Sequence, residues 1–549
     1  MRNVELRHIF SVSALLFLFI FVVYPIFKVV CKSTPIDGPV LGYYTQILTS
    51  NIEQKAIINT LYVAGVTTIL STLLGVSIAW LFECTDLPFK RLLKVLVMLP
   101  YFTPAYLTVI SWIQLLGRSG YINRWLMEVF NLLSPPIDIY TLEGIIVVMT
   151  IHLFPLVFLT TSNALRLIDP SLEEAAVISG ASRYYAIARI TLPLITPSIL
   201  SGAIMAFLHC VNSFGVPAAI GLPTGKYLIT TRIFAALNMY DVRLACALSV
   251  TSILICGSLL LLQNRLIQNR NYTMITTGSK PPRITHLGKW KHIIASGLIL
   301  FLSIAIVLPL IAIGLFSLLK AWGLTPCIEN LTFNNYVKVF TDSCSFRALT
   351  NTLLYGGVAS ISAVALGLII AYSANKTTGK TKKVFELIGT IPLAIPGPVI
   401  ACAYTLAFIQ PPLQLYNTPW IIILAYITSF TPLAVRNITG MLSEINPNLE
   451  EAGWVSGGSW LGTLKTVIIP LIGPGIWSSS ILIFLNTIRE IPRSNMLYTR
   501  GTETLGYLLF SLQSDSGGLE VTSAIAVIVL FVILGGHLAI EHIMRKKNE

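Results

Sequence analysis

Charge is what this sequence has least of. Asp, Glu, Lys and Arg together make up 11% of its 549 residues, against 54% hydrophobic residues. Soluble domains carry about 25% charged residues, so a water-facing fold of this length would lack the polar side chains to cover its exterior. A soluble protein is excluded. Cysteine patterning is also missing. The eight cysteines form no C-x-x-C and no metal-ligand spacing, which leaves no thiol–disulfide or zinc motif. Six of them, Cys31, Cys84, Cys210, Cys246, Cys256 and Cys402, fall in or beside apolar runs and read as small apolar residues. Cys327 and Cys344 share one loop, where a disulfide and two free thiols both stay open. No H-E-x-x-H, no G-x-S-x-G and no pair of mid-run aspartates is present, which argues against a membrane-embedded enzyme. The nearest phosphate-loop candidate, "ANKTTGKT" at 374–381, has Ala374 where that loop needs glycine. It follows an apolar run rather than a strand, and reads as a basic loop.

What the sequence has is long apolar runs. A spanning helix needs about 20 mostly apolar residues, with its backbone satisfied internally because lipid offers no partners. About twelve such runs occur. They lie near 9–30, 56–82, 93–115, 143–165, 195–218 and 244–263, then near 293–319, 347–373, 385–409, 420–440, 472–490 and 521–540. The fifth and eleventh are broken by Pro, Gly and polar residues, which places them inside a bundle. The first follows Arg2, Arg7 and His8 but exceeds the 7–15 apolar residues of a signal peptide, so it is expected to be retained.

The formal net charge is +13. The basic residues form no nucleic-acid patch; they recur between alternate runs. Arg2 and Arg7 precede the first run, and Lys90, Arg91 and Lys94 follow the second. Arg265, Arg270, Lys280, Arg283, Lys289 and Lys291 separate the halves, Lys376, Lys380, Lys382 and Lys383 follow the eighth run, and Arg545, Lys546 and Lys547 end the chain. That is the positive-inside pattern, and it predicts a multi-pass protein with both termini in the cytoplasm.

The chain is an internal duplication. Pro155, Pro170, Glu174, Gly180, Pro193 and Pro197 recur 277 residues later as Pro432, Pro447, Glu451, Gly457, Pro470 and Pro474. Asn59, Gly75, Pro100 and Pro104 recur 292 residues later as Asn351, Gly367, Pro392 and Pro396. The first half therefore has 15 extra residues, around 117–142. Six runs per half give both halves one orientation, so the repeat is parallel. The expected fold is an all-α integral membrane protein of about 12 transmembrane helices in two parallel six-helix repeats. Its divisions are 1–54, a first helix and outer loop; 55–263, a first transmembrane domain; 264–292, a polar linker; 293–346, the seventh helix and outer loop; 347–541, a second transmembrane domain; and 542–549, a tail.

Two polar islands interrupt the runs. "EEAAVISGASRYYAIARITLPLITPSI" fills 173–199, and "EEAGWVSGGSWLGTLKTVIIPLIGPGI" fills 450–476. In the first, Asp169-Pro170 is a helix start, with Glu173 and Glu174 at the positive helix end. Gly180 supplies a break, and "SRYYAIARI" forms a second helix, stopped or kinked near Pro193. The product is an elbow on the cytoplasmic side, with Ala175, Ala176 and Gly180 allowing close approach by another protein. Two copies in equivalent positions favour paired docking elbows, spanning 169–193 and 446–470, over unpartnered interfacial helices.

These residues resemble the loop of binding-protein-dependent ABC transporter permeases, which reads Glu-Ala-Ala, glycine six residues after the Glu, then Ile-x-Leu-Pro. Glu174, Ala175, Ala176, Gly180, Ile190, Leu192 and Pro193 fill every position. The second copy keeps Glu451, Ala452, Gly457 and Pro470, with Gly453, Val467 and Ile469 as departures beside Glu450. The resemblance covers almost the whole chain as two fused permease domains. It implies an importer whose elbows seat in a cytoplasmic ATPase dimer on separate chains, with an extracytoplasmic solute-binding protein outside, lipid around it and no cofactor on this chain.

Fused double permeases resemble chiefly ferric-iron importers, with thiamine, aminoalkylphosphonate and polyamine relatives. The segments 212–237 and 489–510, each following the fifth run of its half, resemble the outer segments of the ferric type. Arg489 and Glu490 are candidates for an outer gate, against the alternative of a snorkelling interfacial pair. His152 and His209 lie in runs, but no converging cluster of His or carboxylates fit to bind iron in the membrane is apparent. A twelve-span secondary transporter is the rival class; its charged signature is absent from "CTDLPFKR" after the second run, and mid-run acids are scarce.

Overall fold

The computed structural model describes residues 2–34, 42–268, 284–377, 379, 385, 389, 391–446, 448–514 and 518–548. Among these residues no strand forms, and pairing outside helices is limited to two isolated bridges, Thr85 with Thr285 and Leu319 with Leu331. Ten helices among them are long and apolar enough to cross a membrane. In the first half these are Phe10–Ser33, Asn51–Cys84, Leu142–Leu167, Tyr184–Asn212 and Val242–Gln263. In the second they are Trp290–Ser317, Ser343–Asn375, Pro419–Glu444, Trp460–Ile488 and Leu519–Ile543.

The third span of the first half, expected as one run near 93–115, is broken. Lys90–Phe102 and Ala105–Phe130 pass the same test only as a pair, bent by 99°. The break is written in Thr103-Pro104. A residue before proline is pushed out of the helical region, and Thr103 is extended at φ −81°, ψ 138°. The repeat places Pro396 before the short apolar helix Gly397–Phe408, while most of 378–390 lies outside the described residues. Both breaks are buried in protein, where non-helical backbone at membrane depth is tolerated.

The fifth and eleventh spans begin earlier than expected, and Pro193 does not stop the helix. Ile187–Thr191 forms a π-turn in which the Leu192 N–H reaches back to Ile187 O, and Pro193 follows inside the continuing helix. Proline removes one N–H and its ring strikes the carbonyl four residues back. Widening one turn by a residue moves that carbonyl aside. The same device precedes Pro25, Pro309 and Pro470, at Phe19–Val23, Ser303–Val307 and Leu464–Ile468.

Glycine sets the closest helix approach within each half. A Cβ on Gly75 would lie 2.8 Å from Val157 Cβ, and one on Gly367 would lie 2.5 Å from Ala434 Cβ. Val157 and Ala434 are repeat-equivalent, so the second and fourth spans of both halves meet at the same point. Small residues at such crossings let backbones pack without a bulky side chain between them.

The two halves exchange their first spans. The span Phe10–Ser33 packs on the second half, where Ser11 bonds Ser373 at 2.7 Å and Phe21 packs on Phe408 at 5.6 Å. The Phe21 carbonyl would normally receive the N–H that Pro25 lacks; the Tyr404 hydroxyl of the second half donates to it instead, at 2.9 Å. In return Trp290–Ser317 packs on the first half, with Phe316 stacked on Tyr121 at 4.8 Å. The loop beyond it accepts hydrogen bonds from the Tyr121 hydroxyl, at Leu324 O, and from Arg124, at Gly323 O.

Residues 269–283 of the expected linker 264–292 lie outside the described residues. Its end is clipped to the loop after the second span. Asp86 Oδ1 accepts from the Leu287 N–H at 2.8 Å, and His286 stands 3.4 Å from Asp86 Oδ2. The Leu287 bond holds the Asp86 carboxyl below its ordinary value. All eight cysteines are free thiols, Cys327 and Cys344 included.

Candidate coupling elbows and outer segments

Each elbow is a short helix closed by a left-handed glycine. In the first, Asp169 Oδ1 accepts from the Ser171 N–H at 2.9 Å and starts the helix Ser171–Ile178. The Ala181 N–H then bonds Ala176 O, and the Gly180 N–H bonds Val177 O, both at 3.0 Å. This paired closure is the Schellman motif, and Gly180 sits at φ +90° as it requires. The second elbow repeats it: Asn446 Oδ1 accepts from the Asn448 N–H, the helix is Asn448–Val455, the Gly458 N–H bonds Gly453 O, and Gly457 has φ +84°. A Cβ on Gly180 or Gly457 would meet open space, so backbone conformation alone demands glycine there.

The expected acidic residues divide into two roles. Glu174 and Glu451 are exposed, as are Ala175 and Ala452. Glu173 is half-buried and accepts from the Thr191 hydroxyl within its own elbow. Its equivalent, Glu450, is 3% exposed. The Tyr372 hydroxyl donates to Glu450, Lys376 Nζ stands 2.5 Å from its other oxygen, and Trp460 Nε1 donates to the same tyrosine at 3.1 Å. Lys376, from the rejected phosphate-loop stretch, is thus engaged in an ion pair.

Sequence reading missed the apolar part of the surface. Ile178 is 86% exposed and its equivalent Val455 89%, while Leu172 and Leu449 are both 47% exposed. The matching positions were the available signal. The Gly453 departure also has a cause. A Cβ there would lie 2.8 Å from the Thr463 methyl, whereas the first elbow has the pair Ala176 and Ala186 at these positions.

The segments 212–237 and 489–510 are anchored alike. Asn59 Nδ2 donates to Tyr227 O, and Asn351 Nδ2 donates to Gly501 O and Glu503 O. Beside them Thr60 Oγ1 accepts from the Ile229 N–H and Thr352 Oγ1 from the Leu505 N–H, both at 2.8 Å. The first segment is also held by a buried ion pair, Arg232 Nη2 to Glu53 Oε1 at 2.6 Å.

Arg489 and Glu490 do not pair with each other. Glu490 is buried, accepts from the N–H groups of Arg493 and Ser494, and pairs with the Arg493 guanidinium at 2.8 Å. It therefore caps the helix Pro492–Leu497. Arg489 turns the other way, donating to Asn486 Oδ1 at 2.5 Å and to Tyr101 O of the first half at 3.4 Å. His152, His209 and also His537 come within electrostatic range of it. Among the described residues no three His, Cys, Asp or Glu side chains are placed to hold a metal ion.

Two parallel helical halves around broken spans, with a repeated elbow in each, define a membrane transport permease built by duplication. The chain belongs to the family of binding-protein-dependent transport system inner membrane components, matched at residues 71–272 and again at 363–546. It is 27% identical over 537 residues to the ferric transport system permease protein FbpB of Actinobacillus pleuropneumoniae, covering 95% of this chain and 76% of that one. It is likewise 27% identical to the putative ferric transport system permease protein FbpB 1 of Haemophilus influenzae, over 89% of this chain and 77% of that one. The putative 2-aminoethylphosphonate transport system permease protein PhnV of Salmonella typhimurium is 28% identical over 44% of this chain and 90% of its own length. A solved bacterial ABC transporter involved in alginate import aligns at 20% identity and a TM-score of 0.40, over 47% of this chain and 93% of that one. The chain is a multi-pass ABC importer permease of the inner membrane, a transport component.

Proposed function

We propose that this permease carries a ferric-iron solute, driven by ATP hydrolysis on separate cytoplasmic subunits. The observation that carries the reading is the match along 95% of the chain to a ferric transport permease, together with two elbows that present equivalent exposed residues. In this reading Ile178 and Val455, flanked by Glu174, Ala175, Glu451 and Ala452, seat in two equivalent clefts of an ATPase dimer. Glu173 and Glu450 brace the elbows from within, and Gly180 and Gly457 give each its turn. Both elbows and both termini face the cytoplasm, in line with the alternation of basic loops. The segments 212–237 and 489–510 face outward and receive a solute-binding protein.

The test is uptake of radiolabelled ferric iron in iron-starved cells lacking this chain, with and without its restoration, beside purification in detergent. ATP-dependent uptake on restoration and a co-purifying ATPase support the reading; absence of both defeats it. The phosphonate relative supports a second solute, tested by 2-aminoethylphosphonate uptake in the same cells.

A further inference from the structure

The interface between the halves holds one arginine with imidazoles near it, and among the described residues no carboxylate pairs with that arginine. Arg489 lies there at the end of the eleventh span, braced by Asn486 and the Tyr101 carbonyl. Around it stand His152 of the fourth span, His209 of the fifth and His537 of the twelfth. His537 rests on Phe102 beside the break in the third span, with ring centroids 4.1 Å apart. His152 Nδ1 is buried without a hydrogen-bond partner. The His209 side chain is exposed on the protein surface between the spans and Arg489 is partly buried.

Among the described residues no carboxylate pairs with the arginine. Arg489 belongs to none of the ion pairs among the described residues. Its sequence neighbour Glu490 is committed to Arg493 and to the helix it caps. Coulomb interaction scales with the product of the charges. A fixed arginine therefore repels a bare trivalent cation three times as strongly as a monovalent one, and attracts an anion of like magnitude. Nothing else here compensates, since no metal-ligating group of three His, Cys, Asp or Glu side chains is present among the described residues.

We propose that Arg489, held between the two halves, is a transient binding site for an oxyanion, and that the solute crosses this permease as a net negative species. The inference rests on the importer reading and narrows it. A ferric ion would pass inside an anionic oxygen chelate, and a phosphonate would pass as itself. Arg489 supplies the fixed charge and the imidazoles supply hydrogen bonds.

The site is tested by titrating citrate into the detergent-purified full-length chain, and into Arg489→Lys, Arg489→Gln and Arg489→Glu. The wild type should bind citrate, more weakly as salt rises. Arg489→Lys should keep binding within a few fold, and Arg489→Gln should weaken it at least tenfold. No citrate binding by the wild type overturns the inference, whatever the variants do. In cells, uptake of ferric citrate or 2-aminoethylphosphonate should fall at least tenfold in Arg489→Gln and further in Arg489→Glu. Unchanged or faster uptake in Arg489→Glu overturns the inference while leaving the importer reading intact. Uptake of neither solute by the wild type, with citrate still bound, defeats the solute assignments and leaves the anion site standing.

Discussion

The two elbows share a backbone but are held in place differently. The first keeps its half-buried acid within its own fold, through Glu173 and Thr191. An ion pair in the same half joins the second and fourth spans at the membrane face instead, from Arg166 to Glu83 at 2.8 Å. The second elbow sends Glu450 under Tyr372 of the eighth span and Lys376 just beyond it. Its Trp460 also meets Phe10 of the exchanged first span at 5.7 Å. The copy that departs further from the family pattern is therefore the one bonded more firmly to the spans. Motif fidelity and mechanical attachment are separate properties, and under the proposed coupling the second elbow would pass motion to the bundle more directly.

The most disruptive way to break the pairing is at the turns. Gly180→Val or Gly457→Val places a β-branched residue at positive φ, where even an ordinary side chain costs about 1–2 kcal/mol. Each should lower ATP-dependent uptake by at least tenfold while membrane insertion persists, as read by transport and by membrane fractionation. Normal uptake in either would remove the elbows from the mechanism. The asymmetry itself is tested next. Glu450→Gln removes the buried charge that Tyr372 and Lys376 meet and should lower stability by about 1–3 kcal/mol, seen as a lower Tm in detergent. Glu173→Gln should cost about 0.5 kcal/mol, within the range of exposed contacts. Equal losses would mean that the second elbow is no better anchored than the first.

A finer test addresses the glycine departure. Gly453→Ala forces a methyl against Thr463 and should cost about 1 kcal/mol, the low end of overpacking. Thr463→Ala should restore that loss, since the pair then matches Ala176 and Ala186. A double-mutant cycle with no coupling would show that the two positions are independent. The smallest effect belongs to the surface: Ile178→Ser and Val455→Ser should leave stability within about 0.5 kcal/mol of wild type while reducing co-purification of an ATPase.

Much of this was legible because it lay in residue type at fixed spacing. The duplication, the elbows and the glycine turns follow from repeated Pro, Gly and Glu positions. The positions of Gly75 and Gly367 followed from the same repeat, though their contacts with Val157 and Ala434 did not. What stayed hidden depends on partners far apart in sequence. Pro193 reads as a helix stop until a π-turn absorbs it, and Thr103-Pro104 reads as part of one straight span until burial in the bundle permits a break. His152, His209 and His537 belong to three separate spans, and only packing brings them toward Arg489. Equivalent burial of Glu173 and Glu450 would follow from the repeat alone, yet Tyr372 and Lys376 replace Trp80 and Cys84 and draw in only the second glutamate.

The exchange of first spans has a consequence for how the molecule is made. Synthesis releases the first span long before the second half exists, so the Phe21 carbonyl must wait for Tyr404, 383 residues downstream, before it gains that donor. The order of translation and the order of packing are then different, and neither half can be completed before the other has entered the membrane. A cut in the linker should be harmless in the finished protein, whereas the first half produced by itself would remain an unfinished intermediate, open to quality-control proteases.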